Sequence, residues 1–568
     1  MRARLLILPA CAVLFGLTPA VSSAGAASLR VDVVSNRADL ISGGDALVAV
    51  HSASPGDTQV TLNGNPLASS TFHWRATTGE GLVKGLHVGR NVIAAQSAGR
   101  TARARIVDHP SGGPIFSGPQ VKPWVCQNAG ATDAQCDQPP TFELKYMSSV
   151  TQTFEPYNPS SPPLDLATTT TDEGRTVPFI VRFETGYLDR DQYEIAELYD
   201  PSKPWTPWNP QKQWNHKLLI THGASCGIDH QTGTAPSVTG DTTAVSGTPG
   251  AGQSPTTALG LGFAVMSTAL DNAGHNCNLA TQAESLVMAK EHLIEELGSI
   301  RYTIGTGCSG GSLAQQQIAN AYPGVYQGIL PQCSFQDAWS NAEEISDYHQ
   351  TRKYFENPTG WGTGVAWSYN QISAVEGHPN YGNPIIFDTV YWEELANPTK
   401  SCPGVAAGEA YNPQSNPNGA RCTLADYMIN VFGPRTESVW GPVEKAIGHG
   451  FAGRPVGNVG VQYGLRALQE GIISPAQFAD LNAKVGGADI DLNPTRERIR
   501  ADEPAVKYAY QSGAVNEANN LTDVPIIDLR GPDPGAFHDA YRSWTMRARL
   551  EHAEKHFPKN HVIWFGHV

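Results

Sequence analysis

Five residues constrain this chain more than any others: Gly307-Cys308-Ser309-Gly310-Gly311. A G-x-S-x-G pattern alone is weak, because glycine and serine are common. Here an apolar β-run at 302–305 precedes it and a helical stretch at 313–321 follows. Strand, serine, helix is the order of a nucleophile elbow. The serine sits in a strained turn where neighbouring Cβ atoms would clash, so glycines flank it. The helix N-terminus then favours negative charge developing beside Ser309. Cys308 occupies the x position, where a side chain does not project toward substrate.

The surrounding pattern predicts the matching fold. Apolar runs at 217–220, 263–267, 302–305 and 326–330 alternate with helical stretches. One helix is predicted to open on a Thr281-x-x-Glu284 capping box, to carry Leu286, Leu293 and Leu297 on one face, and to close at Gly298. The rhythm stops over 337–520, which is rich in Trp, Tyr, Asn, Gly and Pro, and returns with a strand at 524–529, a helix over 538–555 and a strand at 561–565. The expected class is α/β: an α/β-hydrolase fold, mostly parallel, with helices on both faces. Residues 176–336 and 521–568 form the catalytic core, and 337–520 a lid or cap insertion.

For this architecture the triad order is serine, acid, histidine. The acid is expected on the loop after the strand ending near Leu529, at Asp533. The base is expected after the last strand, at His567, with His538 as the alternative. His567 is followed only by Val568, where this architecture usually continues into a helix. Asp528 reads as structural and Asp539 as a helix-capping residue. The loop after 217–220, Thr221-His222-Gly223-Ala224, fits an oxyanion hole, with the N–H groups of Ala224 and Gly310 as donors. His222 itself reads as a structural histidine.

Ahead of the core, short apolar runs about ten residues apart over 28–107, with an Asn63-Gly64 tight turn, predict a small Ig-like β-sandwich. Residues 108–175, rich in Pro, Gly, Ser and Thr, read as a wrapping linker. Residues 1–27 read as a secretory signal, with Arg2 and Arg4, an apolar run at 5–17 and small residues at 23–27. Its removal takes Cys11 from the nine cysteines and leaves an even set, the usage of an exported, oxidised protein. Spacing favours Cys126–Cys136 and Cys402–Cys422. Position at strand ends suggests Cys308–Cys333 and Cys226–Cys277.

Net charge is −14, which disfavours phosphate backbones and anionic membranes as partners. No Cys or His spacing suits a metal, and no cofactor is expected. Asp489 and Asp491 suggest calcium only weakly, since alternate acids in a loop usually face water.

Three segments carry a resemblance: Thr303-Ile304-Gly305-x-Gly307-x-Ser309-Gly310-Gly311, His275-Asn276-Cys277-Asn278, and Asn458-Val459-Gly460-Val461-Gln462-Tyr463-Gly464-Leu465. Together they resemble an exported bacterial family of unknown function with an α/β-hydrolase core, from about residue 30 to the end. The resemblance implies a serine hydrolase mechanism and no particular substrate. More distantly, the Gly-Cys-Ser-x-Gly elbow is similar to tannases and feruloyl esterases. There the cysteine beside the nucleophile pairs with one beside the catalytic histidine. Val568 follows His567 here, so that pairing does not carry over.

The expectation is a secreted or periplasmic carboxylic ester hydrolase acting on a bulky, aromatic or polymeric ester, small or chain-like. Trp339, Tyr348, Tyr354, Trp361, Trp367 and Tyr369 in the lid suggest such a substrate, unless they form the lid's own core. A serine exopeptidase, using Glu343 and Glu344 to hold an amino terminus, and a non-catalytic surface binder with a relic elbow are the alternatives.

Overall fold

A computed structural model describes residues 29–119, 121–124, 138–240, 254–380, 382–531 and 538–566. The predicted signal segment, the Cys126–Cys136 pair, Asp533 and His567 lie outside the described residues.

The first eighty described residues form two facing β-sheets. One contains Arg30–Val33, Asp45–His51, Thr78–Lys84 and His73–Arg75; the other is built around Gly89–Ser97 and Arg100–His109. Alternate residues point inward, so Val48, Val50, Val83, Ile93 and Ile106 share one core. Asn63 and Gly64 both take positive φ, 51° and 86°, and join Gln59–Leu62 to Asn65–Pro66. That is the geometry of a two-residue hairpin turn matched to strand twist.

The main sheet has ten strands. In chain order they are β1 (Thr141–Met147), β2 (Phe154–Pro156), β3 (Ile180–Leu188), β4 (Asp191–Leu198), β5 (Lys217–Thr221), β6 (Ala264–Thr268), β7 (Tyr302–Cys308), β8 (Gly328–Gln332), β9 (Ile526–Arg530) and β10 (His561–Phe565). Their order across the sheet is β2-β1-β3-β4-β6-β5-β7-β8-β9-β10. Strands β5 to β10 are mutually parallel, and β4 meets β6 antiparallel. From β3 onward this is the α/β-hydrolase sheet. The stretch at 108–175, read from its composition as linker, contributes β1 and β2 to the edge. Turn-rich flanks hid these short strands.

Period-two alternation splits the β5 and β6 side chains between two cores. Leu218, Ile220, Ala264 and Met266 pack with α2 (Leu279–Leu297), α3 (Gly310–Ala321) and α5 (Tyr541–Glu554). Leu219 and Val265 pack on the other face with α1 (Ser254–Gly260). Between β8 and β9 lies a largely helical insertion. It opens with α4 (Ala338–Glu356) and includes Pro475–Lys484 and Glu503–Gln511.

Helix α2 starts earlier than its capping-box pattern predicts. Asn278 is the N-cap, accepting from the Ala280 N–H at 3.1 Å. Glu284 is thereby freed for another task. Its buried carboxylate accepts the N–H groups of Ile115, Phe116 and Ser117 at 2.6–2.8 Å, and the Ser117 hydroxyl. Further along α2, Glu291 accepts from Asn36 and from the Ser42 N–H, both at 2.8 Å, and so docks the N-terminal sandwich.

Glu284→Gln replaces an acceptor of four donors with a group that brings donors of its own. Buried unsatisfied donors cost about 1–3 kcal/mol each. The variant is expected to lose about 2–4 kcal/mol of stability in urea unfolding. A loss below about 0.5 kcal/mol, the usual scale for surface changes, would show this carboxylate to be dispensable.

Candidate active site

Strand β7 ends at Cys308, α3 begins at Gly310, and Ser309 makes the turn between them with φ 57° and ψ −116°. A β-carbon-bearing residue rarely adopts a positive φ, and it persists only where the surroundings hold it. They do so here. The Ser309 N–H donates to the Gln332 carbonyl at 3.1 Å, and its carbonyl accepts from Ser312 and Leu313 N–H, each at 3.0 Å. The expected Cys308–Cys333 disulfide is present and ties the end of β7 to the end of β8. Cys226–Cys277 and Cys402–Cys422 are present as well.

The glycines of the motif answer to contacts. A Cβ on Gly310 would fall 1.7 Å from the Ser225 carbonyl oxygen. One on Gly311 would fall 2.9 Å from the His222 carbonyl, and one on Gly307 3.0 Å from the His222 Cβ. The loop after β5 thus presses directly on the elbow. His222 lies beneath it with no side-chain exposure, bridging Asp271 at 2.6 Å and the Tyr326 hydroxyl at 3.0 Å. It braces the turn, in keeping with the structural reading.

Ser309 and Gly310 face a pocket together with Ser225 and Cys226. Ala224, the expected oxyanion donor, precedes Ser225, and its carbonyl turns toward Gly274. Among the described residues, the N–H groups of Ala224, Ser225 and Gly310 have no acceptor. Ser225 takes a positive φ of 73°, a bend with no distinct sequence signal.

Register brings the ends of four adjacent parallel strands to one edge of the sheet. Cys308 pairs with Gln332, Gln332 with Leu529, and Leu529 with Trp564. One step on, the Gly566 N–H donates to the Arg530 carbonyl at 3.1 Å. In sequence, Asp533 follows Arg530 by three residues and His567 follows Gly566 directly.

His538 is described. Its ring meets Phe335 edge-on at 5.5 Å between centroids, and Phe335 lines the Ser309 pocket. Burial, with the cations Arg530 and Arg542, pushes its imidazole down to about 4. A base so far below neutral pH transfers protons poorly. Asp539 holds His378 of the insertion at 2.9 Å and is not the helix cap expected, since Ala540 takes the N-cap of α5 with no side-chain cap bond. Asp528 lies buried within β9, 3.6 Å from His561 of β10.

The pocket walls are apolar and aromatic: Leu313, Phe335, Ala338, Ile345, Phe387, Tyr391 and Leu395, with Asn341 as a polar group. None of the six aromatics suggested by the sequence is among them. Trp339, Tyr348, Tyr354 and Trp361 are buried in the insertion, Trp367 packs against Tyr354 and Phe355, and Tyr369 is 59% exposed. Behind the pocket, buried Arg542 stacks on Phe335 and Phe387, at 4.3 and 5.3 Å, and bonds Asn341.

Glu343 and Glu344 do not act as a pair. Glu344 accepts from the Tyr541 hydroxyl and Arg542, while Glu343 accepts from the Gly457 N–H. Asp491 is taken up by Arg421 and Tyr411, and Asp489 by its own turn. Among the described residues, no cluster of three or more His, Cys, Asp or Glu side chains is arranged to hold a metal.

The chain belongs to a tannase-like family of unknown function (DUF6351), whose family model matches residues 31–568. No curated protein matches it significantly. Solved structures similar to it include feruloyl esterase B from Aspergillus oryzae, at 14% identity over 76% of this chain and 78% of that one, with a TM-score of 0.31. Tannin acyl hydrolase from Aspergillus niger is similar at 13% identity over 78% and 79%, with a TM-score of 0.29. Homoserine O-acetyltransferase from Bacillus anthracis is similar at 11% identity over 75% and 91%, with a TM-score of 0.24.

His275, from one of the motif segments, sits near the Cys226–Cys277 bridge and pairs with Asp191 at 3.1 Å and Asp229 at 3.2 Å. Burial alone would lower its pKa, but the two carboxylates outweigh burial and raise it to about 9. Its folded value lies above the unfolded one of about 6.5. The stabilisation is therefore complete below about pH 6.5 and is lost as pH rises through about 9. His275→Gln is expected to remove this alkaline decline, on the order of 3 kcal/mol, from a stability–pH profile. An unchanged slope between those limits would mean that His275 is neutral in the fold.

Proposed function

We propose, from membership of this tannase-like family and from the Ser309 elbow, that the chain is a serine-dependent carboxylic ester hydrolase. One observation carries the reading: Ser309 stands at a strained positive φ between a strand end and a helix N-terminus, facing an apolar pocket. That placement lifts a hydroxyl off the sheet and points a helix dipole at the charge that forms there.

In the proposed reaction the Ser309 Oγ attacks the ester carbonyl carbon while His567 takes its proton. Asp533 orients that imidazole and stabilises its charged form. The N–H groups of Ala224 and Gly310 hold the tetrahedral oxyanion. The C–O bond to the alcohol then breaks as His567 returns the proton to the leaving oxygen. Water, activated by the same imidazole, releases the acid from the acyl-enzyme and restores Ser309.

The sheet register is compatible with these roles, because β7, β8, β9 and β10 are parallel neighbours in that order and end on the same side of the sheet as Ser309. The low pKa of His538 argues for His567 over it. Walls of Phe335, Phe387 and Tyr391 favour a bulky or aromatic ester, and the insertion that supplies two of them acts as the lid. The three disulfides favour an oxidising compartment, and an exported or periplasmic location is part of the proposal. Among the described residues no helix is long and apolar enough to cross a membrane. The divergence of Glu343 and Glu344 removes the feature that favoured an exopeptidase.

Ser309→Ala is expected to lower turnover of p-nitrophenyl esters by about a thousandfold or more and to abolish fluorophosphonate labelling. Full turnover in the variant would refute the mechanism, and selective cleavage of aminoacyl p-nitroanilides would reassign it. His567→Ala is expected to lose activity on the same scale, while His538→Ala keeps it within about tenfold. The reverse order would transfer the base to His538.

A further inference from the structure

The walls of the Ser309 pocket have two sides. Ile345, Tyr391 and Leu395 face that pocket and also face a second cavity inside the insertion. The second cavity is lined mainly by apolar side chains, among them Trp339, Ala342, Leu424, Val456 and Leu492. Ala342, Leu395, Val456 and Leu492 are only half-buried, so apolar surface remains uncovered there. A closely packed protein interior leaves few such spaces. An apolar cavity beside a reactive group is a place where a ligand's carbon skeleton gains burial.

Two further features shape it. The partition is carried in part by Phe387–Trp392, one continuous π-helical segment, a rare conformation concentrated at functional sites. Its wider turn sets Phe387 against the Ser309 pocket and Tyr391 against both spaces. Among the lining residues not shared with the Ser309 pocket are polar ones. Arg421 and Asp426 are paired at 3.0 Å, and Arg454 also borders an open cleft. Part of the apolar space is therefore bounded by a neutralised ion pair, which offers nothing to a hydrocarbon.

We infer that this second cavity is a subsite for one arm of the ester cleaved at Ser309. The substrate class is esters with an extended apolar arm, which passes Tyr391 and Leu395 into the space bounded in part by the Arg421–Asp426 pair. The inference rests on the ester hydrolase reading and adds an arm-length selectivity to it. Short esters use the Ser309 pocket alone, and longer arms gain burial until the cavity is filled.

The test uses the whole chain with two series: p-nitrophenyl esters from acetate through butyrate and octanoate to hexadecanoate, and acetates of alcohols of the same lengths. In one series kcat/KM is expected to rise at least about tenfold above the shortest ester, the scale of hydrophobic pocket discrimination, and then to fall. Ala342→Phe and Leu492→Trp, which fill the cavity away from Ser309, are expected to erase the rise and keep the shortest ester within about twofold. Thermal unfolding of both variants identifies any that misfolds, and the wild-type profile decides by itself if both do. Profiles flat in both series, or variants that lower all esters equally, would overturn the subsite while Ser309-dependent acetate turnover left the hydrolase reading standing. Acetate turnover that is absent, or that survives Ser309→Ala, would instead defeat the reading beneath it.

Discussion

The site depends on a backbone-to-backbone contact. The loop after β5 lies so close to the start of α3 that the Ser225 carbonyl occupies the space a Gly310 side chain would need. The same closeness sets His222 against Gly307 and Gly311. Strand β7 has no room to continue, so the chain turns at Ser309 into a conformation that a serine would not take alone. The His222–Asp271–Tyr326 group stops the loop from yielding instead, because it is buried and bonded on both sides. The position of Ser309 is thus a packing result before it is a chemical one.

The insertion is fastened to that arrangement at several points. Asn278 caps α2 and also donates to the Tyr427 carbonyl and to Asn430. His378 reaches Asp539, and Arg549 of α5 bonds Asp337 at the start of α4. Arg542 stands behind two pocket aromatics and bonds a third wall residue, Asn341. A buried cation of this kind is costly unless paired, and Glu344 lies 3.1 Å from it. Wall aromatics and the start of α5 are therefore one packed unit. This is why the sheet core and the insertion share a single hydrophobic cluster.

Much of this was legible in the sequence, and the division has physical causes. The elbow, the parallel strands and three cysteine pairs could be read because each leaves a local mark: glycines where no side chain fits, apolar runs of strand length, cysteines at strand ends or close in sequence. What was missed lacks such a mark. Strand β2 has three residues, and most of β1 is exposed or half-buried, so neither shows as a continuous apolar run. Thr281-x-x-Glu284 had the letters of a cap, but Asn278 won the position and Glu284 turned to the 115–117 backbone. The aromatics of the insertion show in the sequence without their directions. Phe335, Phe387 and Tyr391 line the pocket because of a loop path and a π-helical turn, neither of which periodicity reports.

The disulfides divide the edge of the sheet that carries the site. Cys226–Cys277 joins the loops that follow β5 and β6, and Cys308–Cys333 joins the ends of β7 and β8. In the sheet these strands lie in the order β6-β5-β7-β8. The edge is therefore two stapled pairs with an unstapled seam between them. That seam passes between Ser225 and Gly310, along the side of the pocket where the proposed oxyanion donors stand. In the proposed mechanism the carbonyl oxygen is received at this seam, a joint between strands that neither disulfide crosses.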